Sequence, residues 1–201
     1  MNVGMEYNKR GTLHLVVGPS GVGKDSILDG ACAVLEGHPD FVFPRRLITR
    51  PENAGGEDHI ALTELEFIEM ERSGGLVLNW RAHGLRYGLP TSIEEDLAEG
   101  RNVVVNVSRS IVAEARSRLA PIAVVYVTVG IAVLEHRLRN RGRETEEEIS
   151  KRLEQAHAYA IPDDADTCVL VNDETLEKSV STFVALLQSA TPTERCLEAA
   201  I

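Results

Sequence analysis

Short apolar segments alternate with amphipathic segments along most of the chain. Apolar runs predict strands at 12–17, 76–80, 102–107, 122–129 and 167–172. Apolar residues that recur every three or four positions predict helices at 26–36, 63–73, 91–99, 109–119, 131–140, 144–160 and 175–188. Nearly continuous apolar strands separated by helices are typical of a parallel sheet. We therefore predict an α/β fold in which helices cover both faces of a parallel sheet.

The length and composition of the chain favour one domain. With 201 residues and 43% hydrophobic content, the sequence can fill a single core. We predict this domain over 11–190, with a flexible lead-in over 1–10 and a tail over 191–201. The lead-in lacks the apolar core of a signal peptide, and no apolar run approaches the roughly 18 residues of a membrane span. Three scattered cysteines without CxxC spacing indicate neither a disulfide framework nor a zinc site, so we expect a cytoplasmic protein.

A glycine-rich segment follows the first predicted strand and precedes the first predicted helix. Residues 18–26 read GPSGVGKDS, which predicts a P-loop whose backbone N–H groups surround phosphate oxygens. The N-terminus of the next helix adds positive potential there, and the lysine can reach the β- and γ-phosphates. A chance glycine-rich turn is the alternative, and the flanking strand and helix argue against it. The predicted ATP contacts in this segment are Gly18, Pro19, Ser20, Gly21, Val22, Gly23, Lys24, Asp25 and Ser26.

The position after the P-loop lysine departs from the usual motif. A serine or threonine hydroxyl normally stands there as a ligand of Mg²⁺, whereas this chain has Asp25, with Ser26 one position later. Mg²⁺ prefers hard oxygen ligands, so the Asp25 carboxylate could bind it directly or through water. Alternatively, Asp25 interacts with the helix dipole and Ser26 serves the metal. Both residues are therefore candidate ligands.

The charge pattern indicates a small polyanionic partner. A formal net charge of −10 argues against general nucleic-acid binding, which needs a basic surface. Of the 21 basic residues, however, 17 are arginine, whose planar fork binds phosphate through two hydrogen bonds. Codon composition could also explain a preference for arginine, but not its clustering beside a P-loop. The clusters lie at 45–50, at 81–86 and at 137–143.

Two polar segments interrupt the alternation of strands and helices. Residues 44–60 are polar and rich in glycine and proline, and their composition argues against a plain linker. Residues 139–148 begin with alternating arginines and end in an acidic helix start, where Thr145 and Glu148 form a predicted capping box. We interpret the second segment as a lid that brings arginines to a transferring phosphoryl group. A solvated charged loop is the alternative.

Six segments resemble the guanylate-kinase-like group of P-loop kinases. They are GPSGVGK (18–24), ITRP (48–51), GGEDHIAL (55–62), NWRAHGLRYG (79–88), RLRNRGRETEEEISKRL (137–153) and VNDETLEKSV (171–180). Within this group, the chain resembles the ribose 1,5-bisphosphate phosphokinases. The resemblance implies a small acceptor-binding insert at about 44–90 and a lid at about 137–150. It also implies transfer of a phosphoryl group from ATP, with Mg²⁺, to ribose 1,5-bisphosphate, giving 5-phospho-α-D-ribose 1-diphosphate in phosphonate catabolism.

Several departures from guanylate kinase remove groups that hydrogen-bond a guanine base. By the resemblance, the positions concerned are His59, Asn79, Leu89, Asn106 and Ser108. A site that loses base-reading groups and gains arginines suits an acceptor with two phosphates and no base.

The resemblance also assigns roles to individual residues. Lys24, Arg137, Arg141 and Arg143 would stabilise the phosphoryl group during transfer, with Arg152 as a further candidate. Arg46, Arg50, Arg86 and Tyr87 would bind the acceptor phosphates, with Arg109 as a weaker candidate. Asn172 would lie against adenine. The nucleophile is a phosphate oxygen that is already ionised, so neither His59 nor His83 is needed as a general base.

Two other functions are compatible with the sequence. One is a nucleoside monophosphate kinase of relaxed specificity, which would turn over ATP with GMP. The other is a partner-binding domain without catalysis, although such domains typically lose the phosphate-binding loop that this chain keeps. We predict a small-molecule substrate and neither nucleic acid nor a membrane as a partner; the sequence makes no prediction about oligomeric state.

Overall fold

The computed structural model describes residues 10–54, 57–142, 145–157, 164 and 166–189. These residues divide into two compact units. We call residues 14–36 and 123–189 the glycine-loop unit, and residues 10–13 and 37–122 the inserted unit. The predicted tail at 191–201 and residues 1–9 of the predicted lead-in lie outside the described residues. The single domain over 11–190 stays a prediction.

The glycine-loop unit contains three strands and four helices among its described residues. The strands are β1 (Leu13–Val17), β8 (Ile122–Thr128) and β9 (Thr167–Val171), in the spatial order β1-β8-β9. The first residues of β1 and β8, Leu13 and Ile122, belong to the inserted unit. β8 and β9 are parallel, with Val124 opposite Thr167 and Thr128 opposite Val171. The helices are α1 (Lys24–Val34), α5 (Ile131–Arg141), α6 (Glu146–His157) and α7 (Leu176–Gln188).

The inserted unit contains a sheet of four strands. Its order is β4-β3-β6-β5, formed by β3 (Arg46–Ile48), β4 (His59–Ala61), β5 (Leu76–Ala82) and β6 (Leu85–Pro90). β3 runs parallel to β4, whereas β6 is antiparallel to both β3 and β5. β2 (Phe41–Val42) also pairs in parallel with β7 (Asn102–Asn106). The helices of this unit are α2 (Glu64–Arg72), α3 (Ile93–Ala98) and α4 (Val112–Leu119).

The fold class predicted from the sequence is confirmed: the chain has an α/β fold with a mostly parallel sheet flanked by helices. All five predicted strands and all seven predicted helices are present, and their described ends differ from the predicted ones by a few residues. Residues 144 and 158–160 of the predicted helix at 144–160 lie outside the described residues. The sequence analysis did not predict β2, β3, β4 or β6. The first three have only two or three residues, and β6 contains glycine, proline and arginine, which obscure its pattern.

Capping boxes begin two of the helices. At α6, the Thr145 N–H donates to the Glu148 carboxylate over 2.8 Å and the Glu148 N–H donates to the Thr145 hydroxyl over 3.3 Å, so the predicted box is confirmed. At α2, Thr63 and Glu66 form an equivalent box that the sequence analysis missed. The Thr63 N–H donates to the Glu66 carboxylate and lowers the pKa of that carboxyl group.

Within the described ranges, no helix is both long and apolar enough to cross a membrane.

Candidate active site

Residues 18–24 form a tight turn, here called the glycine loop, between β1 and α1. Gly18, Gly21 and Gly23 have φ angles of 148°, 92° and 93°, in the region that side chains with a Cβ rarely adopt. A Cβ at Gly18 would lie 2.1 Å from the carbonyl oxygen of Val127. Glycine is therefore required here by both backbone conformation and space. The turn ends where α1 begins, as a phosphate-binding loop requires.

Lys24 is the first residue of α1, and its ammonium group folds back over the glycine loop. Nζ donates to the carbonyl oxygens of Gly18 and Pro19, each over 2.8 Å. The next two residues, Asp25 and Ser26, are exposed in the first turn of the helix. The first turn of α1, directly after the glycine loop, thus holds one cation and two side chains with oxygen atoms of the kind that bind hard metal ions.

Asn172 lies directly after β9 and is 3% exposed. Its Nδ2 donates to the carbonyl oxygen of Val22 over 2.7 Å, and its Oδ1 accepts from the Ser179 hydroxyl over 2.7 Å. The sequence analysis predicted an adenine contact for Asn172. The side-chain amide is engaged with the glycine loop, and the adenine contact stays a prediction.

Two arginines in the glycine-loop unit have unusual surroundings. Arg152 on α6 donates from Nη1 to the Ser20 hydroxyl over 3.0 Å, which brings a guanidinium group to the glycine loop. Arg137 on α5 has a buried Nη1 that finds no hydrogen-bond partner among the described residues. A buried donor without a partner is costly unless a ligand satisfies it. The side chain of Arg141 and all of Arg143 lie outside the described residues.

Arg139 differs from the other arginines of the predicted lid because two carboxylates already hold it. It lies 2.8 Å from Glu135 on its own helix and 3.2 Å from Glu146 on α6. The hydrogen bond to Glu146, followed by the charge of Glu135, raises the pKa of Arg139. Its guanidinium therefore connects α5 to α6.

In the inserted unit, Arg46 is buried against a carboxylate. Its Nε donates to Glu57 Oε2 over 2.7 Å, its Nη2 donates to the same oxygen, and its Nη1 donates to the carbonyl oxygen of Asn106 over 3.0 Å. Its guanidinium carbon also lies 5.4 Å from the centre of the Tyr87 ring. Tyr87 in turn stacks on Trp80, with ring centres 5.4 Å apart. Arg46 and Tyr87, both predicted to bind the acceptor, therefore lie in contact.

Glu57 also bridges to Arg50, so that one carboxylate faces two arginines. Arg50 Nη2 lies 3.4 Å from Glu57 Oε1 and 3.3 Å from His59 Nδ1. Arg50 Nε is buried and has no hydrogen-bond partner in the part of the chain that the structure describes. The sequence analysis did not single out Glu57. Its position between the glycines and His59 of the GGEDH segment was the only signal.

The remaining predicted acceptor residues have different surroundings. Arg86 Nε donates to Glu64 over 2.7 Å and its Nη1 lies 3.4 Å from Glu71, so two acidic residues of α2 hold it. Its guanidinium lies 5.8 Å from the centre of the Phe67 ring. Arg109 begins a 3-10 turn after β7 and is exposed. The structure thus brings Arg46, Arg50 and Tyr87 together and surrounds Arg86 with other partners.

Two of the positions compared with guanine-reading residues are closed off. Leu89 is completely buried. The ring of His59 contacts the carbonyl oxygens of Glu57 and Arg50, at 3.0 Å and 3.2 Å. Neither side chain presents a group to a base.

Among the described residues, no three histidine, cysteine or acidic side chains converge as a metal site.

Comparisons with known proteins find relatives that match most of this chain. The guanylate kinase family model matches residues 10–190. Ribose 1,5-bisphosphate phosphokinase PhnN of Thiobacillus denitrificans is 43% identical over 185 residues, covering 92% of this chain and 97% of that protein. The PhnN protein of Acidiphilium cryptum is 49% identical over 179 residues, covering 89% and 93%.

A longer relative and a solved structure are also similar to this chain. The bifunctional ribose 1,5-bisphosphokinase-thymidine phosphorylase of Cupriavidus necator is 46% identical over 91% of this chain, which spans 30% of that protein's length. The crystal structure of guanylate kinase from Anaplasma phagocytophilum has a TM-score of 0.62 at 17% identity, covering 90% of this chain and 86% of that one. This structural similarity supports the fold alone.

Proposed function

We propose a reaction from the premise that this chain belongs to the guanylate kinase family and, within it, to the ribose 1,5-bisphosphate phosphokinases. It transfers the γ-phosphoryl group of ATP to the 1-phosphate of ribose 1,5-bisphosphate. The bond from the γ-phosphorus to the β–γ bridging oxygen breaks, and a bond to an oxygen of the 1-phosphate forms. The products are ADP and 5-phospho-α-D-ribose 1-diphosphate. The identity of 43% over nearly the whole length of a protein so named carries the proposal.

The glycine loop would bind the ATP phosphates. Its glycines allow successive backbone N–H groups to face one ligand, and the dipole of α1 attracts negative charge to the same point. The Lys24 ammonium group donates two hydrogen bonds to backbone carbonyl oxygens of the loop. A phosphate beside the loop would be a stronger acceptor than these carbonyls, because it is charged. The acceptor oxygen is already ionised near neutral pH, so the protein needs no general base. Its contribution is to position the two polyanions and offset their charge.

Kinases of this family use ATP, usually with Mg²⁺, and two residues of α1 fit that ion. Asp25 and Ser26 are exposed hard-oxygen donors in the turn beside Lys24. Bound Mg²⁺ would offset charge on the β- and γ-phosphates. Asp25→Ser should shift the Mg²⁺ concentration needed for half-maximal activity if Asp25 is the ligand. Unchanged activity and unchanged Mg²⁺ dependence would assign the role to Ser26 instead, and Ser26→Ala is the matched variant.

Arginines of α5 and α6 would stabilise the phosphoryl group during transfer. Arg152 contacts Ser20 of the glycine loop, and Arg137 has a buried donor without a partner in the described structure. Both features suit residues whose hydrogen bonds are completed by a bound anion. Arg141 and Arg143 belong to the same predicted set on the resemblance alone.

The pair formed by Arg46 and Arg50 would bind a phosphate of the acceptor. Glu57 faces both guanidinium groups, so a phosphate must compete with this carboxylate for their N–H donors. A dianionic phosphate carries more negative charge than a carboxylate, so two guanidinium groups attract it more strongly. Tyr87 contacts Arg46 and would line the same site. Arg86 and Arg109 remain candidates for the second phosphate.

The proposed reaction is tested by following phosphorus NMR of the purified protein with MgATP and ribose 1,5-bisphosphate or GMP. We expect coupled diphosphate doublets with the sugar and little ADP with GMP. Turnover with GMP alone would support the second candidate, a nucleoside monophosphate kinase, which the match to the guanylate kinase family model favours. Failure to bind MgATP would instead favour a partner-binding domain.

The cellular setting is a further part of the proposal. We propose that the enzyme works in the cytoplasm, where ATP is available, and in phosphonate catabolism, with which the PhnN name of its relatives is consistent. A strain lacking the gene should then lose growth on a phosphonate as the phosphorus source and keep growth on phosphate.

A further inference from the structure

A buried polar pair lies behind the glycine loop. Asn172 is 3% exposed and Ser179, on α7, is 4% exposed. The Ser179 hydroxyl donates to Asn172 Oδ1 over 2.7 Å, and Asn172 Nδ2 donates to the carbonyl oxygen of Val22 over 2.7 Å. The two hydrogen bonds form a chain from α7 through the end of β9 to the loop.

The chemistry of the three groups fixes the orientation of the amide. The Val22 carbonyl can only accept, so Asn172 must present its NH₂ group to the loop. Its oxygen then faces Ser179, whose hydroxyl can donate. The backbone of Asn172 is itself held, because its N–H donates to the carbonyl oxygen of Thr128 over 2.8 Å. Without Ser179, the amide would keep its contact with the loop but lose the partner that holds it in this orientation.

The loop packs directly on this amide. A Cβ at Gly23 would lie 2.5 Å from Asn172 Nδ2. In a trans peptide the N–H points opposite to the preceding carbonyl group. Because the Val22 carbonyl points at Asn172, the Gly23 N–H points away from Asn172, toward the other side of the loop. The amide therefore sets the direction of one of the N–H groups that a phosphate-binding loop uses.

We propose that Ser179 is a positioning residue for ATP: acting through Asn172, it holds the Val22–Gly23 peptide so that the Gly23 N–H faces a phosphate of the nucleotide. This inference rests on the proposed binding of ATP by the glycine loop, and not on the identity of the acceptor. Neither residue needs to touch the nucleotide for this effect.

The experiment compares Ser179→Ala with Ser181→Ala, a matched change on the exposed face of α7. Calorimetric titration with MgATP gives the Kd, and steady-state rates give KM for ATP and kcat. We expect Ser179→Ala to raise the Kd by about threefold to tenfold, as the loss of one buried hydrogen bond does. Ser181→Ala should bind MgATP like the original protein, and Ser179→Thr, which keeps a hydroxyl, should restore binding to within about twofold.

A double-mutant cycle separates positioning from a general loss of stability. In an Asn172→Ala background, Ser179→Ala should cause no further rise in the Kd. An equal rise in both backgrounds, or unchanged MgATP binding by Ser179→Ala, would overturn the inference. If Ser179→Ala does not fold, Ser179→Cys, a weaker donor of similar size, should raise the Kd above that of the original protein, and binding equal to that of the original protein would contradict the proposal.

The binding measurements need no acceptor, so they are independent of the proposed reaction. Turnover of GMP in place of the sugar would overturn the proposed substrate and leave the inference about Ser179 standing. Turnover of ribose 1,5-bisphosphate together with unchanged MgATP binding by Ser179→Ala would support the proposed substrate and overturn the inference about Ser179. Failure of the original protein to bind MgATP would overturn both.

Discussion

Arg152 donates from Nη1 to the hydroxyl of Ser20 over 3.0 Å, although 132 positions separate the two residues in the sequence. Ser20 belongs to the glycine loop and Arg152 to α6, the helix that begins within the predicted lid. A guanidinium group thus lies beside the loop. An exposed serine hydroxyl is a weak partner for a cation, and a phosphate would replace it readily.

We expect Arg152→Ala to lower kcat about a hundredfold or more, because arginines that stabilise a transferring phosphoryl group make contributions of at least this size. Arg152→Lys should recover only part of the loss, since lysine lacks the planar fork. Steady-state assays with ribose 1,5-bisphosphate measure the effect. Lys151→Ala, at the exposed neighbouring position, is the control and should leave kcat unchanged. Equal kcat values for the two alanine variants would exclude Arg152 from phosphoryl transfer.

Arg137 and Arg139 lie two positions apart on α5, yet we expect opposite results from their removal. Arg137 has a buried donor with no partner in the described structure, whereas Arg139 is held by Glu135 and Glu146. Arg137→Ala should lower kcat/KM for ATP by at least about tenfold, as the loss of a charged hydrogen bond to substrate does. Arg139→Ala should change it less than twofold, since exposed ion pairs contribute little. A larger loss of kcat/KM in Arg139→Ala than in Arg137→Ala would show that Arg139, and not Arg137, binds the nucleotide.

The parts of the fold that could be predicted depend on local sequence. β1, the glycine loop and α1 follow one another within about twenty residues, so hydrophobic pattern and motif suffice. The short strand β3 has only three residues, too few to show a period. The role of Glu57 could not be predicted, because it depends on the parallel pairing that sets Arg46 opposite His59.

Asn172 illustrates the same limit inside the candidate site. Its amide contacts the carbonyl of a residue 150 positions earlier in the sequence. The sequence gives the residue type, and its position after a strand, but not the direction in which the side chain points. Long-range contacts of this kind arise only when the strands have been ordered within the sheet.

Glu57→Ala should destabilise the protein by about 3 kcal/mol, because it leaves the buried Arg46 guanidinium without its counter-charge. The side chains of Arg46 and Glu57 are only 10% and 17% exposed. Urea unfolding followed by circular dichroism measures the change. The control is Glu64→Ala, which breaks a pair with Arg86 in which the carboxylate is 57% exposed, and should cost less than about 1 kcal/mol. Similar losses in both variants would mean that Glu57 is not a buried counter-ion.

Gly23→Ala should abolish measurable MgATP binding, whereas Gly37→Ala should leave it unchanged. Both glycines have positive φ, 93° and 75°, so each substitution strains the backbone by about 1–2 kcal/mol. Only at Gly23 would the new Cβ also meet a neighbour, 2.5 Å from Asn172 Nδ2, and nothing lies within 4 Å of a Cβ at Gly37. Calorimetric titration distinguishes them. Normal binding by Gly23→Ala would contradict the proposed packing of the loop on Asn172.

The thiol of Cys32, exposed on α1, should react slowly with iodoacetamide near neutral pH. Partial burial, followed by the charges of Asp29 and Glu36, raises its pKa. A raised pKa leaves less thiolate at any given pH, so the alkylation rate should reach half its maximum at a higher pH than for a small thiol. Asp29→Asn removes one of these charges and should shift the profile toward lower pH. Peptide mass spectrometry separates Cys32 from the buried Cys168, and an unshifted profile in Asp29→Asn would show that this carboxylate does not influence the thiol.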